Sequence, residues 1–79
     1  MANPNNPTGS IITKRDICEL LSKIPKNIIF VLDLAYIEFI TEDIYQQPFS
    51  MVDDFPNLII TRTFSKIYGL ASLRIGYGY

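Results

Sequence analysis

Two short apolar runs constrain the fold of this 79-residue chain more than any other feature. Residues 28–32 read Ile-Ile-Phe-Val-Leu, and residues 57–61 repeat the pattern more briefly as Asn-Leu-Ile-Ile-Thr. The first run is apolar at every position and does not alternate with polar residues, which is typical of a strand covered on both faces within a parallel sheet. The two runs therefore predict buried strands.

A helical pattern precedes the first run. Thr13 followed by Asp16 resembles a capping box, with Asp in place of the usual Glu. Apolar residues then recur at the spacing of one helical face, at Ile17, Leu20, Leu21 and Ile24. Pro25 stops this pattern, so the sequence predicts a helix over residues 14–24.

Two further elements complete the predicted order. Residues 49–55 are expected to form a short helix that starts near Pro48. Residues 75–79 predict a third strand, whose glycines let another group approach its backbone closely. Because helices alternate with buried strands, the pattern indicates an α/β layer architecture.

The opening of the chain is dense in residues that form turns. Residues 3–9 read Asn-Pro-Asn-Asn-Pro-Thr-Gly, in which Pro fixes φ, Asn tolerates left-handed geometry and Gly permits any geometry. This segment is predicted to be a loop with no strand before it, and the chain closes on an apolar strand with no helix after it. An independent α/β domain usually has both, so we expect the chain to be the middle of a larger protein.

Composition excludes several classes of function. The net charge of −1, from seven Lys and Arg against eight Asp and Glu, gives no electrostatic case for nucleic acid or an anionic membrane. The absence of His excludes His-based triads, metal sites and acid–base chemistry, and a single Cys excludes an internal disulfide. No run approaches the ~20 apolar residues that cross a bilayer, and the N-terminus lacks a signal-peptide pattern, so we expect a cytoplasmic protein.

Polar side chains follow the predicted strands where those strands end. Asp33 closes the first run, and Tyr36 lies shortly after it. The second run is followed by two hydroxyls, an amine and a guanidinium, from Thr63, Ser65, Lys66 and Arg74. Because ligands bind beyond the carboxyl ends of parallel strands, we expect these groups to gather at one edge of the sheet. The opening loop joins them if the strand before it runs parallel to the others.

Each of these residues also has an ordinary structural interpretation. Asp33 can cap the turn that follows it, and Tyr36 can pack with Phe39 as a core aromatic. Lys66 can be a solvated loop lysine, and Arg74 can pair with a surface carboxylate at little gain in stability. The combination is more informative than any one member, and it indicates a ligand site.

Three motifs in the chain resemble those of a known family. They are Asn-Asn-Pro-Thr-Gly at residues 5–9, Asp-Leu-Ala-Tyr at residues 33–36, and the segment from Thr-Phe-Ser-Lys to Arg-Ile-Gly-Tyr-Gly at residues 63–78. In this order they resemble the central motifs of class I/II aminotransferases, which are pyridoxal-phosphate enzymes of fold type I. Ala-Tyr-Ile-Glu-Phe at residues 35–39 and Arg-Thr-Phe-Ser-Lys at residues 62–66 are most similar to histidinol-phosphate aminotransferases.

The resemblance implies a role for each polar residue near the cofactor ring. Lys66 is the lysine that binds the cofactor aldehyde covalently and later moves the α-proton of the substrate; a lysine suits both roles because desolvation or neighbouring cations readily lower the pKa of this residue type. Asp33 faces the pyridine nitrogen and holds it protonated, which makes the ring an electron sink. Asn6 and Tyr36 hydrogen-bond the phenolic oxygen.

The resemblance also implies a phosphate-binding group. Thr63, Ser65 and Arg74 hold the cofactor phosphate, whose geometry the guanidinium fork matches better than an ammonium does. Between the amine and the guanidinium, Gly69 and Gly76 permit the tight backbone of a loop that turns back. The two cationic groups can then address opposite ends of one cofactor.

Some features of the family pattern are changed or missing. Leu34 stands where the family usually carries Glu, and Ser72 where Gly is frequent, although neither position is expected to touch the cofactor. The resemblance implies that residues 1–79 are an incomplete, central fragment of the large pyridoxal-phosphate-binding domain, with a mostly parallel sheet and flanking helices but no small domain. Because intact members are longer and form dimers that complete the site across their interface, we expect the chain alone to be inactive.

The resemblance implies transamination between glutamate and imidazole acetol phosphate in the intact protein, as in histidine biosynthesis, with amino and keto acids as its small-molecule partners. A related threonine-phosphate decarboxylase and a non-catalytic remnant or interaction module stay open as alternatives. A further interpretation takes residues 63–66 as the S-x-x-K pattern of acyl-transfer enzymes. It leaves Asp33, Tyr36 and Arg74 without roles.

Overall fold

The computed structural model describes residues 1–40 and 48–79. Its main elements are helix α1 (Lys14–Lys23), strand β1 (Phe30–Asp33), helix α2 (Met51–Asp54), strand β2 (Leu58–Thr63) and strand β3 (Gly76–Gly78). Single turns of 3₁₀ helix lie at Ile37–Phe39, Pro48–Ser50 and Ala71–Leu73. The predicted α/β alternation is confirmed for these residues. None of their helices is long and apolar enough to span a bilayer.

The strands form one sheet in the order β1-β2-β3. β1 and β2 are parallel, with Asp33 paired to Thr61, whereas β3 runs antiparallel to β2. On the other side of β1, Ala2 makes a parallel bridge to Asp33, and the N–H of Asn3 donates to the Asp33 carbonyl at 2.9 Å. The opening segment therefore runs in the direction of β1 and β2, as the predicted site requires.

Helix α1 begins at the predicted cap. The hydroxyl of Thr13 accepts a hydrogen bond from the Asp16 N–H at 3.2 Å, which satisfies one of the free donors of the first turn. In a full capping box the acidic side chain would accept a hydrogen bond from the cap N–H, but the Asp16 carboxylate instead accepts from the Thr13 hydroxyl at 2.8 Å. Asp is one methylene shorter than Glu, which accounts for the difference.

The core lies on one face of the sheet, because successive side chains of a strand point to opposite faces. Leu32 of β1 is paired with Ile60 of β2, and both are fully buried. Ile17 and Leu21 of α1 and Met51 of α2 belong to the same buried cluster. Both helices therefore cover this face.

The opposite face is open within the part of the chain that the structure describes. Val31 and Ile59 point away from the core and are 43% and 38% exposed. The prediction that the first strand is covered on both faces is therefore wrong for these residues. The reason is that both helices pack against the same side.

Element boundaries differ from the predictions by a few residues. β1 begins at Phe30, because Ile28 and Ile29 precede its pairing with β2 and are exposed. β2 extends to Thr63, which thus ends the strand instead of following it. The predicted short helix over residues 49–55 consists of a 3₁₀ turn that leads directly into α2.

Candidate functional site

The topology brings the predicted site segments to one edge of the sheet. β1 and β2 end at this edge, the antiparallel β3 begins there, and the opening loop leaves from the parallel segment beside β1. The predicted site residues on these segments are Asn6, Asp33, Tyr36, Thr63, Ser65, Lys66 and Arg74. Their positions at this edge follow from strand direction alone.

The opening loop is closed by its own hydrogen bonds. Asn3 is 1% exposed, and its side-chain amide both donates to the Ile12 carbonyl and accepts from the Ile12 N–H, each at 2.8 Å. Within the loop, the Gly9 N–H donates to the Asn5 carbonyl at 2.7 Å, with Gly9 in the left-handed region at φ +69°. These bonds fix the segment that carries Asn6.

Three motifs meet at the Tyr36 side chain. The Nδ2 amide of Asn6 donates to the Tyr36 hydroxyl at 3.0 Å. The Nζ atom of Lys66 lies 5.3 Å from the centroid of the Tyr36 ring, within the range of a cation–π contact. The aromatic neighbour predicted for Tyr36 is also present, since the Phe39 ring centroid lies 6.1 Å away. Phe39 is 58% exposed, so this pair is at the surface of the described chain and not in its core.

Asp33 caps the turn that follows β1, as its ordinary structural interpretation predicted. Its Oδ1 accepts a hydrogen bond from the Ala35 N–H at 3.1 Å. The residue is exposed, and none of the described residues donates to Oδ2. A carboxylate offers about four acceptor positions, so the cap leaves Asp33 able to bind a further donor.

The turn after β2 presents hydroxyls and the amine. The Ser65 N–H donates to the Thr63 hydroxyl at 3.1 Å, which folds the chain back over the end of the strand. The Lys66 carbonyl accepts from the Gly69 N–H at 3.0 Å, and Gly69 is in the left-handed region at φ +67°. The Lys66 side chain is left exposed at the site edge.

Arg74 lies where this loop returns to the sheet. Its backbone is left-handed at φ +53°, and the N–H of Phe64 donates to the next carbonyl, that of Ile75, at 3.2 Å. The guanidinium donates to the Ala71 carbonyl at 2.9 Å. The structure thus brings the backbone beside Arg74 to the end of β2, while among the described residues its guanidinium makes no hydrogen bond to the Thr63 or Ser65 hydroxyl.

Gly76 has a packing requirement at the start of β3. A Cβ at this position would lie 2.6 Å from the Arg62 carbonyl, closer than side-chain carbons approach backbone oxygen. Only Gly therefore allows β3 to pair with β2 from Gly76 onward, two residues after Arg74. This pairing is what returns the loop to the site edge.

A cavity of about 380 Å³ adjoins the Asn6–Tyr36 hydrogen bond. Its walls come from the opening loop, including Pro4, from Ile11 just after that loop, and from the turn after β1, including Phe39. Small-molecule sites are typically about 300–1,000 Å³ and mostly apolar with a few polar groups. The cavity has that character, with Asn5, Asn6 and Tyr36 as the polar side chains of its lining.

Sequence reasoning assigned no role to the ion pair between Glu38 and Arg62. The two side chains are 16% and 10% exposed and join the turn after β1 to β2. Each residue lies within a predicted motif, but nothing in the spacing of the sequence indicates that they meet. Contact between residues so far apart in the chain depends on the pairing of the strands.

Comparisons with known proteins identify the family. The family model for aminotransferase class I and II matches residues 1–79. The chain is 53% identical over 78 residues to the histidinol-phosphate aminotransferase of Brevibacillus brevis, and 53% identical over 77 residues to histidinol-phosphate aminotransferase 2 of Hydrogenovibrio crunogenus. The two alignments include 99% and 98% of this chain, respectively, but only 21% of each relative. The chain therefore spans about a fifth of the length of these relatives.

Solved structures give the same result. The histidinol-phosphate aminotransferase of Sinorhizobium meliloti, solved in complex with pyridoxal-5'-phosphate, matches 99% of this chain and 21% of its own, with a TM-score of 0.87 and 42% identity. The L-threonine-O-3-phosphate decarboxylase of Porphyromonas gingivalis matches 99% of this chain and 23% of its own, with a TM-score of 0.82 and 36% identity. The predicted fold and family resemblance are confirmed, and the chain belongs to the class I and II aminotransferases.

Proposed function

We propose that this chain forms the cofactor-binding centre of a pyridoxal-phosphate-dependent transaminase that exchanges the amino group between histidinol phosphate and 2-oxoglutarate. One observation carries the proposal: the Lys66 amine, the Tyr36 ring and the Asn6 amide converge, at 5.3 Å and 3.0 Å, from three separate motifs. Relatives named histidinol-phosphate aminotransferases, about half identical to this chain, support the choice of substrate.

The donor set around Tyr36 fits pyridoxal phosphate. When bound, the cofactor supplies an aldehyde carbon and an electron-accepting pyridine ring. The Asn6 amide has a second N–H beside the one given to Tyr36, so both residues have a donor to offer a phenolic oxygen. The free acceptor capacity of Asp33 suits a protonated ring nitrogen, which a carboxylate stabilises in its charged form.

The end of β2 and the returning loop supply donors for a phosphate. The Thr63 and Ser65 hydroxyls stand at the turn, and Arg74 follows on the same edge. A guanidinium binds phosphate through parallel N–H bonds, so Arg74 would orient the cofactor as well as attract it. The Arg74 bond to the Ala71 carbonyl uses one of five N–H donors.

Lys66 performs the proton chemistry in this proposal. Its amine is exposed at the site edge and free to reach the cofactor aldehyde, while Tyr36 limits its position through the ring contact. With the cofactor and substrate bound, the Lys66 amine would remove the substrate α-proton as a base and would then return a proton as an acid. A lysine can bind the aldehyde and move the proton because it is a nucleophile and a base when unprotonated.

The rest of the active site is proposed to lie outside this chain. Residues 1–79 would belong to the large domain of a longer, dimeric enzyme in the cytoplasm, and we expect the chain by itself to be inactive. The carboxylate-binding arginine and the ring that stacks on the cofactor would come from other segments. Substrate choice therefore depends mainly on those segments.

The proposal can be tested with a chimeric protein, in which residues 1–79 replace the matching 78 residues of the Brevibacillus brevis enzyme. Titration of the chimera with pyridoxal phosphate should give a saturable visible absorbance band, and borohydride should trap the cofactor on Lys66. Lys66→Ala should abolish both, whereas Lys26→Ala, which removes an exposed lysine before β1, should change neither. A trapped adduct that persists in Lys66→Ala would contradict the assignment.

Products separate the candidate reactions. Histidinol phosphate with 2-oxoglutarate should yield glutamate, whereas a decarboxylase would release carbon dioxide from threonine phosphate. The decarboxylase is the second candidate because a solved structure of that name has a TM-score of 0.82 to this chain. A chimera that binds no cofactor, although the parent enzyme does, would favour the non-catalytic alternative.

A further inference from the structure

One ion pair joins the turn after β1 to strand β2. Nη2 of Arg62 donates to Oε1 of Glu38, and the side chains are 10% and 16% exposed respectively. The Arg62 guanidinium carbon also lies 5.6 Å from the Phe49 ring centroid and 6.0 Å from that of Tyr77. The guanidinium is therefore held by a carboxylate and two aromatic rings at once.

Stability alone is a weak explanation for this pair. Removing two charges from water is unfavourable, and apolar side chains of similar volume often replace a buried pair without loss of stability. The Nε atom of Arg62 is buried and has no hydrogen-bond partner among the described residues, which adds to the unfavourable terms. What the pair does provide is a fixed geometry between the two segments that it joins.

Those two segments carry the groups that meet at the site. Glu38 lies two residues after Tyr36, and Arg62 lies directly before Thr63 and four residues before Lys66. The Tyr36 ring is in contact with the Lys66 amine at 5.3 Å. The ion pair thus fixes the backbone of Tyr36 relative to the strand that leads to Lys66.

We infer that Glu38 and Arg62 are positioning residues that hold the Tyr36 phenol in place for the reaction. This inference rests on the proposed function. Neither residue touches a site group directly, so both act through Tyr36. A small displacement of a group that contacts the reacting atoms lowers the rate far more than it lowers binding.

The test uses the chimera described above with Glu38→Gln, which keeps an oxygen acceptor for Arg62 but removes the charge. We expect kcat to fall about 10-fold and KM to change little, because the substrate-binding groups are untouched. The decisive measurement is the same substitution in a Tyr36→Phe background. If Glu38 acts through the phenol, it should lower kcat no further there, since two residues acting as a unit are not additive.

Glu19→Gln is the matched control, because it removes the charge from an exposed pair with Lys23 in α1. It should leave kcat unchanged. Full additivity of Glu38→Gln and Tyr36→Phe would overturn the inference, as would a lower unfolding temperature with unchanged kcat, which is the result of a purely structural pair.

A second variant covers the case in which Glu38→Gln does not fold. Arg62→Lys keeps the positive charge and loses the planar fork and the ring contacts. It should show the same loss of kcat and the same non-additivity with Tyr36→Phe, and a multiplicative loss would again overturn the inference. Failure of the unmodified chimera to trap cofactor on Lys66 is a separate result, which contradicts the proposed function and removes the basis of the inference with it.

Discussion

The two segments that meet at the site are held in different ways. The turn after β1, residues 33–40, is anchored by side chains: Leu34 is fully buried, Ile37 and Ile40 pack against the core, and Glu38 forms the ion pair with Arg62. The loop after β2 is exposed at every position from residue 66 to residue 75. Backbone hydrogen bonds close this loop, including the bond from the Leu70 N–H to the Phe64 carbonyl at 3.1 Å.

Because the two segments are held differently, substitutions in them should affect the stability of the fold and the function of the site to different extents. Within the described chain, a change in the anchored turn affects the core and the site together, because buried and functional residues alternate there. A change in the exposed loop removes a functional group and little packing.

Asp33→Asn in the chimera separates the two roles of this carboxylate. The amide oxygen can still accept from the Ala35 N–H and cap the turn, but the charge that would stabilise a protonated ring nitrogen is lost. We expect the cofactor to stay bound and α-proton removal to slow by about 10³-fold, or ~4 kcal/mol in the barrier. The single-turnover rate with α-deuterated substrate measures this step. An unchanged rate would contradict the role of Asp33 at the ring nitrogen and leave only its role in capping the turn.

Leu34→Ala tests the anchor of the turn in the isolated 79-residue chain. Removing a fully buried leucine leaves a cavity and should lower the free energy of unfolding by about 2–5 kcal/mol. Leu73→Ala, in the exposed loop, is the matched control at 55% exposure and should change it by less than about 1 kcal/mol. Urea unfolding followed by far-ultraviolet circular dichroism gives both values. Equal losses would mean that the loop is anchored as firmly as the turn.

Arg74→Ala tests cofactor binding with little effect on the packing of the fold. Because the guanidinium is exposed and assigned to the phosphate, its removal from the chimera should weaken pyridoxal-phosphate affinity by about 10- to 100-fold, which is ~1.4–2.7 kcal/mol. Arg15→Ala, at an exposed position on α1, should leave the affinity unchanged. The absorbance titration measures both. Unaltered affinity in Arg74→Ala would count against its role at the phosphate.

Local features were readable from the sequence, and contacts between distant segments were not. The cap at Thr13 and the apolar runs that became β1 and β2 depend on neighbouring residues, so their patterns predicted them. The antiparallel direction of β3 and the Glu38–Arg62 pair depend on how the strands assemble, which no local pattern encodes.

The resemblance to family motifs allowed the residues of the candidate site to be predicted from the sequence. They named residues that later met at Tyr36, although spacing alone could not place the Asn6 amide beside its hydroxyl. They did not indicate that the second face of the sheet is open in the described chain. The roles assigned to the site residues remain predictions for the chimera to test.

Gly69→Ala has the smallest predicted effect on stability and tests directly how firmly the exposed loop is held. Gly69 and Gly9 have nearly the same positive φ, +67° and +69°, and neither would place a Cβ within 4 Å of another atom. In a loop that keeps its conformation, alanine at either position should lower the free energy of unfolding by about 1 kcal/mol from left-handed strain alone. Gly9 lies in the loop closed by the buried Asn3, whereas Gly69 lies in the exposed loop that carries Lys66. Urea unfolding of the same chain measures both values. A markedly smaller loss of unfolding free energy for Gly69→Ala than for Gly9→Ala would mean that the Lys66 loop relaxes to relieve the strain. Backbone hydrogen bonds without buried side chains would then not be enough to fix the position of the Lys66 amine.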